Sequence, residues 1–252
     1  MTKTKQLLIL PVLAALISVL AFSAQDAAAL TSTVNDNISC EAPAVGGTWN
    51  SVTSTCAVST LVVGPADTLV IASNVNFDIV TLTSSGVIVN EGKINIASGG
   101  VITTSGTFTN NGVIDSSGTI TNSGPFNNFG KLTSYGTITN GPTGTITSDG
   151  MMISTGVITS SGAIIINENG ALYNNNGVFT NSLNIVNNGT LYSSGTFTNS
   201  GPVMNNGNIT NQGLLTQSNT ITNAGTMTNL CGGSITNSGT ISINSVIDGC
   251  VA

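Results

Sequence analysis

Apolar side chains recur along this chain at a spacing of six, each two positions after a glycine. From Gly106 the glycines fall at Gly112, Gly118, Gly124, Gly130 and Gly136. They resume at Gly150, Gly156 and Gly162, and again at Gly189, Gly195, Gly201, Gly207 and Gly213. The unit reads G-x-Φ-T-N-x, with Φ an Ile, Leu, Phe, Val or Met. Six residues are one short strand and one corner, and residues two apart on a strand share a face. The glycine, Φ and the residue two after Φ therefore point inward, and the neighbours of Φ point outward. A unit this short cannot bury its apolar residue alone, so copies must stack.

The number of hexads per turn follows from a shift of eighteen. Phe108 to Asn122 (FTNNGVIDSSGTITN) then aligns with Phe126 to Asn140 (FNNFGKLTSYGTITN), and the pattern returns at Ile185 to Pro202. Three hexads thus close one turn. The expected fold is all-β, a single-stranded parallel β-helix with about eighteen residues per rung. About ten rungs over residues 68–247 give a rod roughly 45–50 Å long at a strand spacing of about 4.8 Å. Like residues should stack between rungs: Phe108 on Phe126, Phe179 on Phe197, Tyr173 on Tyr192. Inward glycines are expected to leave room at the corners and to supply dihedrals closed to other residues. Asn122, Asn140, Asn181, Asn199 and Asn237 are expected at one corner, their amides bonding along the coil.

Every third Φ defines one face: Leu82, Ile102, Ile120, Ile138, Ile158, Phe179, Phe197, Leu215 and Ile235. The residue after each is threonine: Thr83, Thr103, Thr121, Thr139, Thr159, Thr180, Thr198, Thr216 and Thr236. On the other faces threonine takes this place in a minority of hexads. The spacing predicts a flat hydroxyl file, with Thr81, Val101, Thr119, Thr137, Val157, Val178, Thr196, Leu214 and Ser234 as its companion row.

The two ends break the rule. Residues 1–29 read as a secretory signal peptide: Lys3 and Lys5, then an apolar run from Leu7 to Phe22, then small residues. Residues 30–67, with Trp49 in their core, should form an N-terminal cap over the first rung. Residues 248–252 close the far end. Four cysteines in an exported chain favour disulfides. Local pairs Cys40–Cys56 and Cys231–Cys250, one of three connectivities, would pin the two ends.

Charge narrows the chemistry. Charged residues are 6 % of the chain, with a formal net charge of −6 and no histidine. There is no arginine, and beyond the signal only Lys93 and Lys131 are basic. That excludes a nucleic-acid stripe and offers an anionic membrane nothing to attract, so membrane contact is expected only through the signal segment. Asp78, Asp115 and the other acids look isolated and solvated. They give no pair for general acid–base work, so a carbohydrate-active enzyme is disfavoured, and neither a cofactor nor a metal site is expected. Asn37, Asn188 and Asn208 stand in glycosylation sequons that chance explains in so Asn-rich a chain.

The phrasing SGTITNSG (Ser117 to Gly124) and TNNGVI (Thr109 to Ile114) resembles the repeats of filamentous haemagglutinins and autotransporter passengers over residues 80–245. The resemblance implies a secreted or surface β-solenoid of structural or adhesive role, with self-association or a surface glycan as partner. No secretion domain, barrel segment or wall-sorting signal is visible, so it implies no particular export route. Regular Thr-x-Thr ladders on small solenoids also resemble ice-binding proteins, which makes the threonine face an alternative binding surface.

Overall fold

A computed structural model describes residues 30–249 apart from 175, 244 and 245. Residues 1–29, expected to be a signal peptide, and Cys250 lie outside the described residues. The chain winds into a parallel coil whose cross-section has three walls. The first wall stacks eleven strands, running from Thr31–Val34 and Thr68–Ile71 through Val87–Asn90 and Thr107–Asn110 to Ile241–Ile243. The second runs through Val113–Ser116, Lys131–Ser134, Met151–Ser154, Ala171–Asn174 and Thr190–Ser193. The third runs through Thr119–Asn122, Thr137–Asn140, Val157–Ser160, Val178–Asn181, Thr196–Asn199, Leu214–Gln217 and Ser234–Asn237. Three longer strands, Thr55–Val63, Asn76–Ser84 and Lys93–Thr104, pass from the second wall into the third without a break.

Register is set by the apolar file. Within four-residue strands such as Thr119–Asn122 the burial alternates, with Ile120 and Asn122 inside and Thr119 and Thr121 outside. A slip of one residue would turn Ile120 out, so the alternation holds the coil in one register. The expected stacks are present: Phe108 and Phe126 lie 4.8 Å apart, and Phe179 and Phe197 lie 4.7 Å apart and nearly coplanar. Tyr173 and Tyr192 meet at 6.0 Å with tilted rings.

Two features of the interior differ from the sequence expectation. The hexad glycines are not in left-handed backbone; among the described glycines only Gly46, Gly99 and Gly232 have positive φ. Their role is steric. A Cβ on Gly118, Gly136 or Gly156 would lie 2.2, 2.0 or 1.9 Å from the carbonyl oxygen of the glycine one coil earlier. Backbone packs directly on backbone at the corners, and only hydrogen fits between. The asparagines, moreover, occupy all three inner corners. Asn90 donates to Asn110 at 2.7 Å and Asn110 to Asn128 at 2.7 Å. Asn122 donates to Asn140, Asn187 to Asn205 and Asn205 to Asn223, at 2.9, 2.7 and 2.6 Å. Asn211 donates to Asn229 at 2.9 Å. These side chains are almost all fully buried, so each amide must find its partners inside the coil. Most Nδ2 groups serve the next coil, and the Oδ1 atoms of Asn90, Asn174 and Asn187, each the first of a run, have no hydrogen-bond partner, whereas that of Asn122 accepts the Gly124 N–H.

The N-terminal segment departs from the hexad rule and still coils. Thr31–Val34 pairs parallel with Thr68–Ile71, and Thr55–Val63 with Asn76–Ser84. What stands off the coil is a five-residue helix, Asn37–Glu41, and the strand Thr48–Asn50, which runs antiparallel to Thr55–Ala57. Asp36 caps the helix, and the backbone N–H and hydroxyl of Ser39 hold its carboxyl below the ordinary aspartate range. The Cys40–Cys56 disulfide ties helix to coil, and Trp49 is partly buried against the core. No described cysteine is free, but Cys250, the expected partner of Cys231, lies outside the described residues.

Candidate functional site

The third wall carries the threonine file. Thr83 pairs in register with Thr103, Thr103 with Thr121, Thr121 with Thr139, and so on through Thr159, Thr180, Thr198 and Thr216 to Thr236. All nine lie on one surface and none is buried. Their spacing is that of the coil, about 4.8 Å. The Φ residues beneath them pack in the core, and β-branching holds each χ1 in few rotamers. The companion row from Thr81 to Ser234 stacks beside it, with Val157, Val178 and Leu214 as exposed apolar steps.

A third hydroxyl row was not anticipated. Ser85, Ser105 and Ser123, then after Gly141 Ser161, Ser182, Ser200, Ser218 and Ser238, occupy the corner after the threonine file. Each backbone N–H from Ser105 onward bonds the coil before it, so the row is in step with the threonines. The signal was present in the last position of S-G-T-I-T-N-S, where serine recurs at this phase. Chemically the described residues of the wall are uncharged and dense in hydroxyls.

The second wall carries Asp78, Lys93, Asp115 and Lys131, and here the expectation of isolated charges fails. Lys93 Nζ lies 2.8 Å from Asp115 Oδ2, an ion pair between adjacent coils. Asn95 Nδ2 donates to Asp78 Oδ1 at 2.6 Å. Asp78, Asn95 and Asp115 face outward in one register file. The file continues through Thr133 and Ile153 to Tyr173 and Tyr192. The eighteen-residue frame hid this because the early coils are not eighteen long: Asn95 follows Asp78 by 17 residues. Among the described residues no group of three or more His, Cys, Asp or Glu is placed to hold a metal. No described helix is long and apolar enough to cross a membrane.

Comparison with known proteins adds one match. The family model of the haemagglutinin repeat matches residues 44–141. The match starts in the N-terminal segment and ends at Gly141, while the coil runs on for about another hundred residues in the same register. Neither the curated proteins nor the solved structures give a match.

Proposed function

We propose that this β-helical repeat protein of haemagglutinin type is a secreted or cell-surface structural and adhesive rod without a catalytic role. Residues 1–29 would direct its export, and its partners would be further copies of itself or a surface glycan. The observation that carries the reading is the parallel stacking of coils along three walls, part of which, residues 44–141, matches the haemagglutinin repeat. A coil built this way has long, rigid faces and little internal freedom, which suits contact with an extended partner. The test is to label intact producing cells with antibody to residues 80–245 and to compare adherence of wild-type and deletion strains. Surface labelling and a several-fold fall in adherence on deletion are expected. Label only inside lysed cells, with unchanged adherence, would overturn the reading.

A second reading rests on the threonine file. Nine hydroxyls at one repeat, none of them buried, form a lattice that an ordered water surface could match. The triple variant Thr139→Arg, Thr159→Arg, Thr180→Arg is then expected to abolish inhibition of ice recrystallisation by the purified protein. Absence of such inhibition in the unmodified protein removes this reading.

A further inference from the structure

The corner between the second and third walls is irregular in the first coils, and again between Leu172 and Phe179 and between Met227 and Ile235. Leu82 follows Phe77 by five residues, Ile102 follows Ile94 by eight, and Ile120 follows Ile114 by the regular six. The first case has no corner glycine; the second inserts two residues, and register shifts between Ile79 and Thr81. The inserted residues form a ridge at Ala97–Gly100. Gly99 lies at its tip, with φ of +83° and no heavy atom within 4 Å of where a Cβ would sit. Beside the ridge runs an open groove of about 650 Å³.

The groove gathers the chemistry that the rest of the rod lacks. Asp78, Asn95 and Asp115 form its floor, Lys93 pairs with Asp115, and Val80 and Tyr135 border it. Tyr135 is 61 % exposed and Val80 54 %. Each carboxylate has about four acceptor positions and Asn95 offers both donor and acceptor, so the floor can still take several hydrogen bonds. Two carboxylates against one ammonium leave the floor net negative, which repels sulfate and uronate groups. Tyr135, at the corner after Ser134, presents an aromatic face and a phenol, and Tyr173 and Tyr192 lie farther along the outward file of Asp78, Asn95 and Asp115.

We infer that this groove binds a neutral oligosaccharide, its hydroxyls bonding to Asp78, Asn95 and Asp115 and a sugar ring lying on Tyr135. The inference rests on the adhesive reading and names its contact site. A basic peptide is the competing occupant of a net negative groove, but the floor's one cation is already paired with Asp115 and the exposed ring favours a sugar's C–H face.

The test is calorimetric titration of the full chain with cellohexaose, xylohexaose and mannohexaose, and separately with a heparin hexasaccharide and hexalysine. Binding of at least one neutral hexaose is expected, with Kd raised tenfold or more by Asn95→Ala and by Tyr135→Ala. Thr139→Glu on the neighbouring wall should leave that Kd unchanged, and heparin should not compete. All three positions are at the surface, and unchanged circular dichroism would show that the coil is intact. The proposal fails if no neutral hexaose binds, if both groove variants bind like wild type, or if hexalysine or heparin binds where the neutral sugars do not. Cell adherence that survives Asn95→Ala would also overturn it, while leaving the adhesive reading in place.

Discussion

Gly136→Ala is expected to destabilise the rod by about 3 kcal/mol, the upper end of the usual range for overpacking. The new methyl would lie 2.0 Å from the Gly118 oxygen and 2.7 Å from the Ser117 oxygen. Neither neighbour is the end of a flexible side chain. The Gly118 oxygen also accepts the N–H of Thr137 at 3.0 Å, so it cannot retreat without breaking a bond between coils. If unfolding is cooperative, the midpoint should fall by roughly 6–12 °C. Gly99→Ala is the control. Its methyl meets nothing within 4 Å, and the remaining cost is left-handed backbone, about 1 kcal/mol. Equal losses for the two variants in thermal melts would contradict the steric account of the glycine columns.

Because each coil touches only its neighbours, the damage should be local before it is global. Hydrogen exchange in Gly136→Ala is expected to accelerate first around Thr119–Asn122 and Thr137–Asn140. Amides near the Phe179–Phe197 stack should keep their protection. A molecule that lost protection evenly along its length would not be a stack of nearest-neighbour units.

The same nearest-neighbour logic explains what could be read from the sequence. A strict repeat writes the fold several times over, and the alignment of copies gives the register. That is why the threonine file and both phenylalanine stacks were legible without coordinates. Legibility ended where the repeat did. Residues 30–67 lack the glycine-plus-two signal, yet Thr31–Val34 and Thr55–Val63 still pair parallel with the next coil. Cys56, Val58, Leu61 and Val63 supply inward side chains at the right spacing, with no glycine to mark the corner. The ion pair of Lys93 with Asp115 and the Asp78–Asn95 bond were invisible for a related reason. The hexads around them are five and eight residues long, so an eighteen-residue frame puts Asp78 and Asn95 on different files and moves Asp115 away from its diagonal neighbour Lys93. The irregular coils, rather than the regular ones, carry the groove. The glycines were correctly placed and half explained: they do leave room at the corners, but not left-handed backbone, because a sequence does not distinguish a residue chosen for its dihedral freedom from one chosen for its missing Cβ.

Asn110→Asp is expected to be the most costly single-atom exchange in the coil, and to cost an amount that depends on pH. Asn110 is fully buried, accepts from Asn90, and donates to Asn128 Oδ1 at 2.7 Å and to the Lys131 carbonyl at 3.2 Å. A carboxylate in its place would turn an oxygen toward two other acceptors. Asn128 could flip its amide to donate upward, but its own bonds to Gly130, Ser148 and Met151 would then be lost. Burial and the two facing oxygens both disfavour the charged form, so the folded-state pKa of the new carboxyl is raised above the unfolded value of about 3.9. The folded state then binds more protons than the unfolded one. The variant is least impaired below pH about 3.9, where a protonated carboxyl can donate to Asn128. Relative stability falls as pH rises from there to the folded-state pKa and is then constant. Against wild type at the same pH, a deficit of about 1 kcal/mol at pH 3.5 and roughly 3–5 kcal/mol at pH 7 is expected from denaturant melts. Asn110→Leu removes the same bonds without adding charge and should lose about 2 kcal/mol at both values. A deficit for Asn110→Asp that does not change with pH would mean that water reaches the corner file. The asparagines would then be surface caps on the coil and not its internal polar spine.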